Sequence, residues 1–205
     1  MKVAIIGSRS LTIDNLEEYI PQGVSEIVSG GARGIDLCAR KYAIENNVDE
    51  VDICLNRGLF FDENKEKAAK EIREIKDLLN LANKKIVLKV ILEVGELQTY
   101  NNIMEASTLC LENGADFIKT STGKIEKGAD IYSSTVMLLA LREYYRKNNV
   151  LKGLKVAGGI RKIEEAVEYM NLYKYFITSN FDNNSFRIGC SQLFDKIKEE
   201  LLKNN

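Results

Sequence analysis

Three strand-like segments of this chain carry side chains suited to chemistry at a carbonyl carbon. Val51-Asp52 sets a carboxylate inside an apolar strand. Phe117-Ile118-Lys119 sets an amine at a strand end, ahead of the small polar run Thr120-Ser121-Thr122-Gly123-Lys124. Leu154-Lys155 sets a second amine ahead of Val156-Ala157-Gly158-Gly159. A lysine amine becomes a nucleophile when burial or a neighbouring cation favours its neutral form. Two converging lysines would supply that neighbour, and a nearby carboxylate could shuttle protons. These are the parts of carbon–carbon bond cleavage through an iminium. Taken singly, each lysine reads as a strand-end residue whose stem lies on apolar surface and whose head reaches water. Gly123, Gly158 and Gly159 open loops ahead of helical segments, where backbone N–H groups can face a phosphate. Ser191, at the start of the last helical segment, could do the same, with ordinary helix capping as the alternative.

What the chain lacks narrows the chemistry further. Its 205 residues include no histidine, so acid–base work falls to Asp, Glu, Lys, Tyr or Cys, and the commonest metal ligand is missing. No metal site and no organic cofactor is expected. Cys38, Cys54, Cys110 and Cys190 are scattered without C-x-x-C spacing and read as small buried residues in a reducing compartment, hence a cytoplasmic protein. Apolar residues make up 45% and charged residues 29%, with a formal charge of −1. That composition fits a soluble globular domain with no net positive field to hold nucleic acid. The opening MKVAIIGSRS reads as a strand rather than a signal peptide, and no apolar run approaches membrane-spanning length.

The elements that must position these groups alternate. Strands are expected at 3–6, 26–28, 51–55, 86–92, 116–119, 153–156 and 186–188. Helices are expected at 14–20, 35–45, 63–82, 100–112, 133–147, 162–170 and 192–202, with an irregular Asn-rich stretch from Tyr173 to Ser185. Strand–helix alternation with apolar strands predicts a parallel sheet covered by helices. The fold class is therefore α/β, a TIM-barrel-like (β/α) fold with about seven parallel strands. It is incomplete or atypical, since a closed eight-stranded barrel usually takes about 250 residues. An open sheet edge invites association, so a homodimer is expected.

From about Val48 to Leu201 the sequence resembles deoxyribose-phosphate aldolase. The resemblance rests on Asp49-Glu50-Val51-Asp52, LKVILEVGEL (88–97), ADFIKTSTGK (115–124), LKVAGGIR (154–161) and FRIGCS (186–191), in that family's order. It implies that Lys119 forms the Schiff base and that Lys155 keeps the Lys119 amine available by charge repulsion. It implies that Asp52 positions a water and relays protons, and that Gly123, Lys124, Gly158, Gly159 and Ser191 hold the substrate phosphate. The substrate would be the phosphorylated sugar 2-deoxy-D-ribose 5-phosphate, split to acetaldehyde and D-glyceraldehyde 3-phosphate.

Residues 1 to about 47 resemble something else. KVAIIGSRS and IVSGGARGIDLCARKYA are similar to the start of Rossmann-like nucleotide-binding proteins related to the DNA-processing and lysine-decarboxylase-like groups. Gly7, Ser8, Arg9, Gly30, Gly31, Arg33 and Gly34 match that pattern, which implies phosphate contacts to a nucleotide. The chain is thus expected to be a single domain, with a Rossmann-like βαβα segment (1–47) joined to a partial aldolase barrel (48–205). This is a fusion or chimera with reduced activity, or in the alternative a phosphate- or nucleotide-binding module with an impaired aldolase site.

Overall fold

Parallel strands buried on both faces need apolar side chains in both directions, and the strands here supply them. In β6 (Gly153–Ala157) all five residues are buried, as expected of a parallel sheet under helices. The computed structural model describes residues 1–5, 12–29, 35–46, 48–62 and 65–203. The strands are β1 (Lys2–Ile5), β2 (Glu26–Ser29), β3 (Glu50–Cys54), β4 (Val87–Ile91), β5 (Phe117–Lys119), β6 and β7 (Phe186–Gly189). Their order in the sheet is their order in the chain. The helices are α1 (Ile35–Glu45), α2 (Arg57–Phe61), α3 (Lys65–Leu79), α4 (Tyr100–Glu112), α5 (Ile131–Asn148), α6 (Ile163–Phe176) and α7 (Leu193–Lys203). None of the described helices is long and apolar enough to cross a membrane.

By internal contacts the chain divides into two units. One holds Met1–Ile91 and Leu109–Phe117, the other Leu92–Thr108 and Ile118–Asn205. In the first unit β1, β2, β3 and β4 pair in parallel. Glu26 lies beside Glu50 and Glu50 beside Val87, while Val28 lies beside Asp52 and Asp52 beside Lys89. Ahead of β2 a single 3-10 turn spans Leu16–Tyr19. It ends because Ile20, held extended at φ −105° and ψ 126°, precedes Pro21, whose ring disfavours helical geometry in the residue before it. α3 buries Ala68, Ala69, Ile72, Ile75 and Leu79, a three–four spacing that gathers them into one apolar stripe. Asp116, at the entry to β5, accepts from Lys76 Nζ at 2.6 Å and from the Leu88 N–H at 2.9 Å, so one carboxylate ties helix, strand and loop.

In the second unit β6 and β7 pair in parallel, with Lys155 beside Arg187 and Ala157 beside Gly189. α5 starts at Asp130, whose carboxylate accepts from the Ser133 N–H at 2.8 Å and from its hydroxyl at 2.6 Å. α6 starts where Glu165 accepts from the N–H groups of Arg161 and Lys162, satisfying donors that a helix start leaves open.

Three sequence expectations need correction. α6 continues past Met170 to Phe176, and only from Ile177 is the chain irregular. The reason is apolar: Ala166, Tyr169 and Tyr173 are buried on one stripe, and Tyr173 packs against Phe181 and Phe186 with ring centroids 5.4 and 4.9 Å away. The helix expected over 63–82 stops at Leu79, residues 63 and 64 lying outside the described ones, and a separate short helix, α2, precedes it, capped by Asn56 accepting from the Leu59 N–H. Of the four cysteines only Cys110 is buried; Cys38 and Cys54 are half-buried and Cys190 is exposed. Burial in apolar surroundings pushes the Cys110 thiol well above the ordinary thiol range.

Candidate active site

The groups singled out for chemistry sit in two places, each built by strand register. In the first unit Asp52 projects from β3 on the same sheet face as Lys89 of β4, because the two are register partners and paired residues in a parallel sheet share a face. Both side chains are fully buried, and Lys89 Nζ donates to Asp52 Oδ1. The ammonium also lies 3.1 Å from Glu26 Oε1 and 2.9 Å from Glu50 Oε2. Burial alone would favour the neutral amine. The charge of Asp52, its hydrogen bond, the charge of Glu26 and the hydrogen bond to Glu50 outweigh that and hold the group above the ordinary lysine value of 10.5. A raised value means that this ion cluster contributes its full stability below 10.5 and loses it as pH climbs through the folded value.

In the second unit Lys119 ends β5 and Lys155 lies in β6, each 7% exposed. The Thr120 N–H donates to the Lys155 carbonyl at 3.1 Å, which sets the two lysine-bearing strands side by side at that level. Thr120 then locks them: its hydroxyl donates to the Ala157 carbonyl at 3.0 Å and accepts from the Ala157 N–H at 2.9 Å. The Lys155 stem passes over Gly189 of β7, where an added Cβ would meet Lys155 Cε at 3.4 Å and Ala157 Cβ at 2.9 Å. Bare backbone at Gly189 leaves room for that stem.

The loop after Lys119 is tied from behind. Glu93, buried and at φ 57°, accepts from the Thr122 N–H at 3.1 Å and from the Thr122 hydroxyl. Left-handed backbone at a non-glycine residue is uncommon and is held by its surroundings; here the Glu93–Thr122 bonds do the holding. Gly123, Gly158 and Gly159 all have positive φ. Gly158 also comes so close to Gly128 that a Cβ on Gly128 would sit 2.4 Å from the Gly158 carbonyl oxygen. The Ala129 N–H donates to that same oxygen at 3.0 Å. Gly128→Ala should therefore force the two loops apart. We expect a loss of about 1–3 kcal/mol, read as a lower urea midpoint.

Asp52, Lys119 and Lys155 are thus buried as expected, and Gly123, Gly158 and Gly159 lie on loops that follow the two lysine strands. Lys124 is exposed, with its N–H on the Thr122 hydroxyl at 3.1 Å. Ser191 is exposed and stands two residues ahead of α7, which begins at Leu193. Gly7, Ser8, Arg9, Gly30, Gly31, Arg33 and Gly34 lie outside the described residues. Sequence reasoning did not assign Glu26, Glu50, Lys89, Glu93, Thr120, Gly128 or Gly189. For Lys89 a signal existed: it is the one charged residue in the apolar run 86–92.

Strand-borne lysines and a buried carboxylate–ammonium pair thus stand on a parallel α/β sheet. Comparison with known proteins gives the family. The DeoC/LacD family aldolase profile matches residues 16–171, beginning well ahead of Val48. Human deoxyribose-phosphate aldolase is 35% identical over 162 residues, which cover 78% of this chain and 50% of the human protein. The mouse deoxyribose-phosphate aldolase is 33% identical over 162 residues, covering the same shares. Among solved structures, the aldolase QR15 superposes with a TM-score of 0.68 at 21% identity over 93% of this chain and 80% of that one. The tetrameric deoxyribose phosphate aldolase of Aeropyrum pernix gives 0.64 at 22% identity over 90% and 71%. These structural likenesses establish the TIM-barrel-like α/β fold. The chain belongs to the DeoC/LacD aldolase family, and it spans half the length of the curated relatives it matches.

Proposed function

We propose that this protein is a class I aldolase that cleaves 2-deoxy-D-ribose 5-phosphate to acetaldehyde and D-glyceraldehyde 3-phosphate. The observation that carries the reading is the lysine pair: Lys119 and Lys155 are buried to 7% exposure on neighbouring strands, within the segment the family profile matches. Lys119 attacks the C1 aldehyde carbon, and the carbinolamine loses water to give a protonated imine. The C2–C3 bond then breaks: its electron pair moves into the imine to form an enamine, while the C3 hydroxyl gives up its proton and becomes the aldehyde of the departing triose phosphate. Protonation at C2 and hydrolysis release acetaldehyde and restore the amine. Lys155 is the neighbouring cation, and Asp52 carries protons to and from the carbinolamine and the enamine. Gly123, Lys124, Gly158, Gly159 and Ser191 take the phosphate. The protonated imine is itself the electron sink.

Borohydride added during turnover should reduce the imine and leave a secondary amine at Lys119, seen as an added mass on the Lys119 peptide. An unmodified Lys119 in folded protein that turns substrate over removes this reading. We further read residues 1–47 as a Rossmann-like segment joined to the aldolase portion, and the protein as a cytoplasmic homodimer. The support is the glycine pattern from Gly30 to Gly34 and the free cysteines.

A further inference from the structure

We infer that Glu26, from β2, is a positioning residue which, together with Glu50, grips the Lys89 ammonium and so sets the orientation and charge of the Asp52–Lys89 pair. Its catalytic consequence rests on the aldolase reading above; the charge cluster itself does not.

Register makes the cluster. Glu26 pairs with Glu50, and two residues further along Asp52 pairs with Lys89. With a side-chain period of two, all four groups fall on one sheet face in successive layers. An ammonium has three N–H donors and no acceptor. Lys89 has a carboxylate for each: Asp52, Glu50 at 2.9 Å and Glu26 at 3.1 Å. An ammonium held on three sides cannot turn away from Asp52, and Asp52 cannot leave it without stranding a buried charge. The Glu26 side chain is itself only 4% exposed, so water screens its charge little. A carboxylate at that depth is costly to desolvate, and Lys89 is the partner that offsets the cost.

The charge of Glu26 acts on the pair through Lys89, whose proton it makes harder to remove. The groups concerned among the described side chains are Glu26 on β2, Glu50 and Asp52 on β3 and Lys89 on β4. Neutralising Glu26 therefore moves the Lys89 titration, and any rate limb it governs, toward lower pH. Loss of shape alone would not produce that signature.

The test compares wild type, Glu26→Gln and Glu26→Asp, each checked for fold by circular dichroism. Carboxyl-carbon and lysine side-chain NMR follow Asp52 and Lys89 against pH, while cleavage of 2-deoxyribose 5-phosphate and borohydride trapping are followed beside them. In Glu26→Gln the Lys89 midpoint should fall by about one unit. The pH–rate profile should move acidward with it, and kcat should fall at neutral pH with little change in KM. Glu26→Asp, which keeps the charge, should restore most of the wild-type profile. A Lys89 midpoint in Glu26→Gln equal to wild type overturns the inference whatever the activity. A shifted midpoint with an unmoved rate profile in an active enzyme overturns the positioning role. A midpoint shifted in Glu26→Gln, beside a wild type that forms no imine with substrate, upholds the electrostatic grip and removes the aldolase reading instead.

Discussion

Lys89→Met should lower the unfolding free energy by about 3–5 kcal/mol. Methionine fills much the same space, so packing changes little. What changes is electrostatic: Asp52, Glu50 and Glu26 lose the cation they share. Lys89 and Asp52 have side chains with no solvent exposure and Glu26 has 4%, so water cannot replace the ammonium. Removing one member of a buried ion cluster costs more than the cluster contributes net, because the remaining charges are stranded. Urea unfolding followed by circular dichroism measures the loss directly. The deficit against wild type should narrow at lower pH, where protonation relieves the repulsion among the stranded carboxylates. A loss below about 1 kcal/mol, the range of an exposed ion pair, would mean that the cluster does not hold its charges as drawn.

Lys119→Leu should reduce kcat/KM for 2-deoxyribose 5-phosphate by more than about 10⁴-fold, since no other group replaces a covalent nucleophile. Lys119 is 7% exposed between the buried residues Ile118 and Thr120, so circular dichroism is followed beside the rate. A large loss of rate in a variant that keeps the wild-type circular dichroism separates chemistry from structure. Residual activity within about tenfold of wild type, far above what loss of a covalent nucleophile allows, would place the imine on another amine.

Much of the local structure was legible because it is encoded locally. α1 and α4 have the bounds that apolar periodicity and flanking Gly or Pro suggest, and the strands fall within a residue or so of the apolar runs. α6 shows the limit. In its last turns, Asn171 to Phe176, Tyr173 is the buried residue, and it keeps the helix going by packing on Phe181 and Phe186 from a later segment. α2 was missed because five residues are too few to show a period; its start depends on the single Asn56 cap.

The sequence by itself determined the strand–helix alternation, the depth of Asp52, Lys119 and Lys155 within apolar strands, and the motif blocks that mark an aldolase. Each of these lies in a few consecutive residues. Tertiary structure decided which side chains meet. Glu26 and Lys89 are 63 positions apart, and Gly128 and Gly158 touch through their backbones from different loops. Such pairs are set by strand register, and a slip of one residue would turn every side chain of a strand to the other face. Periodicity along one strand says that a face exists; only the pairing of strands says what stands opposite it.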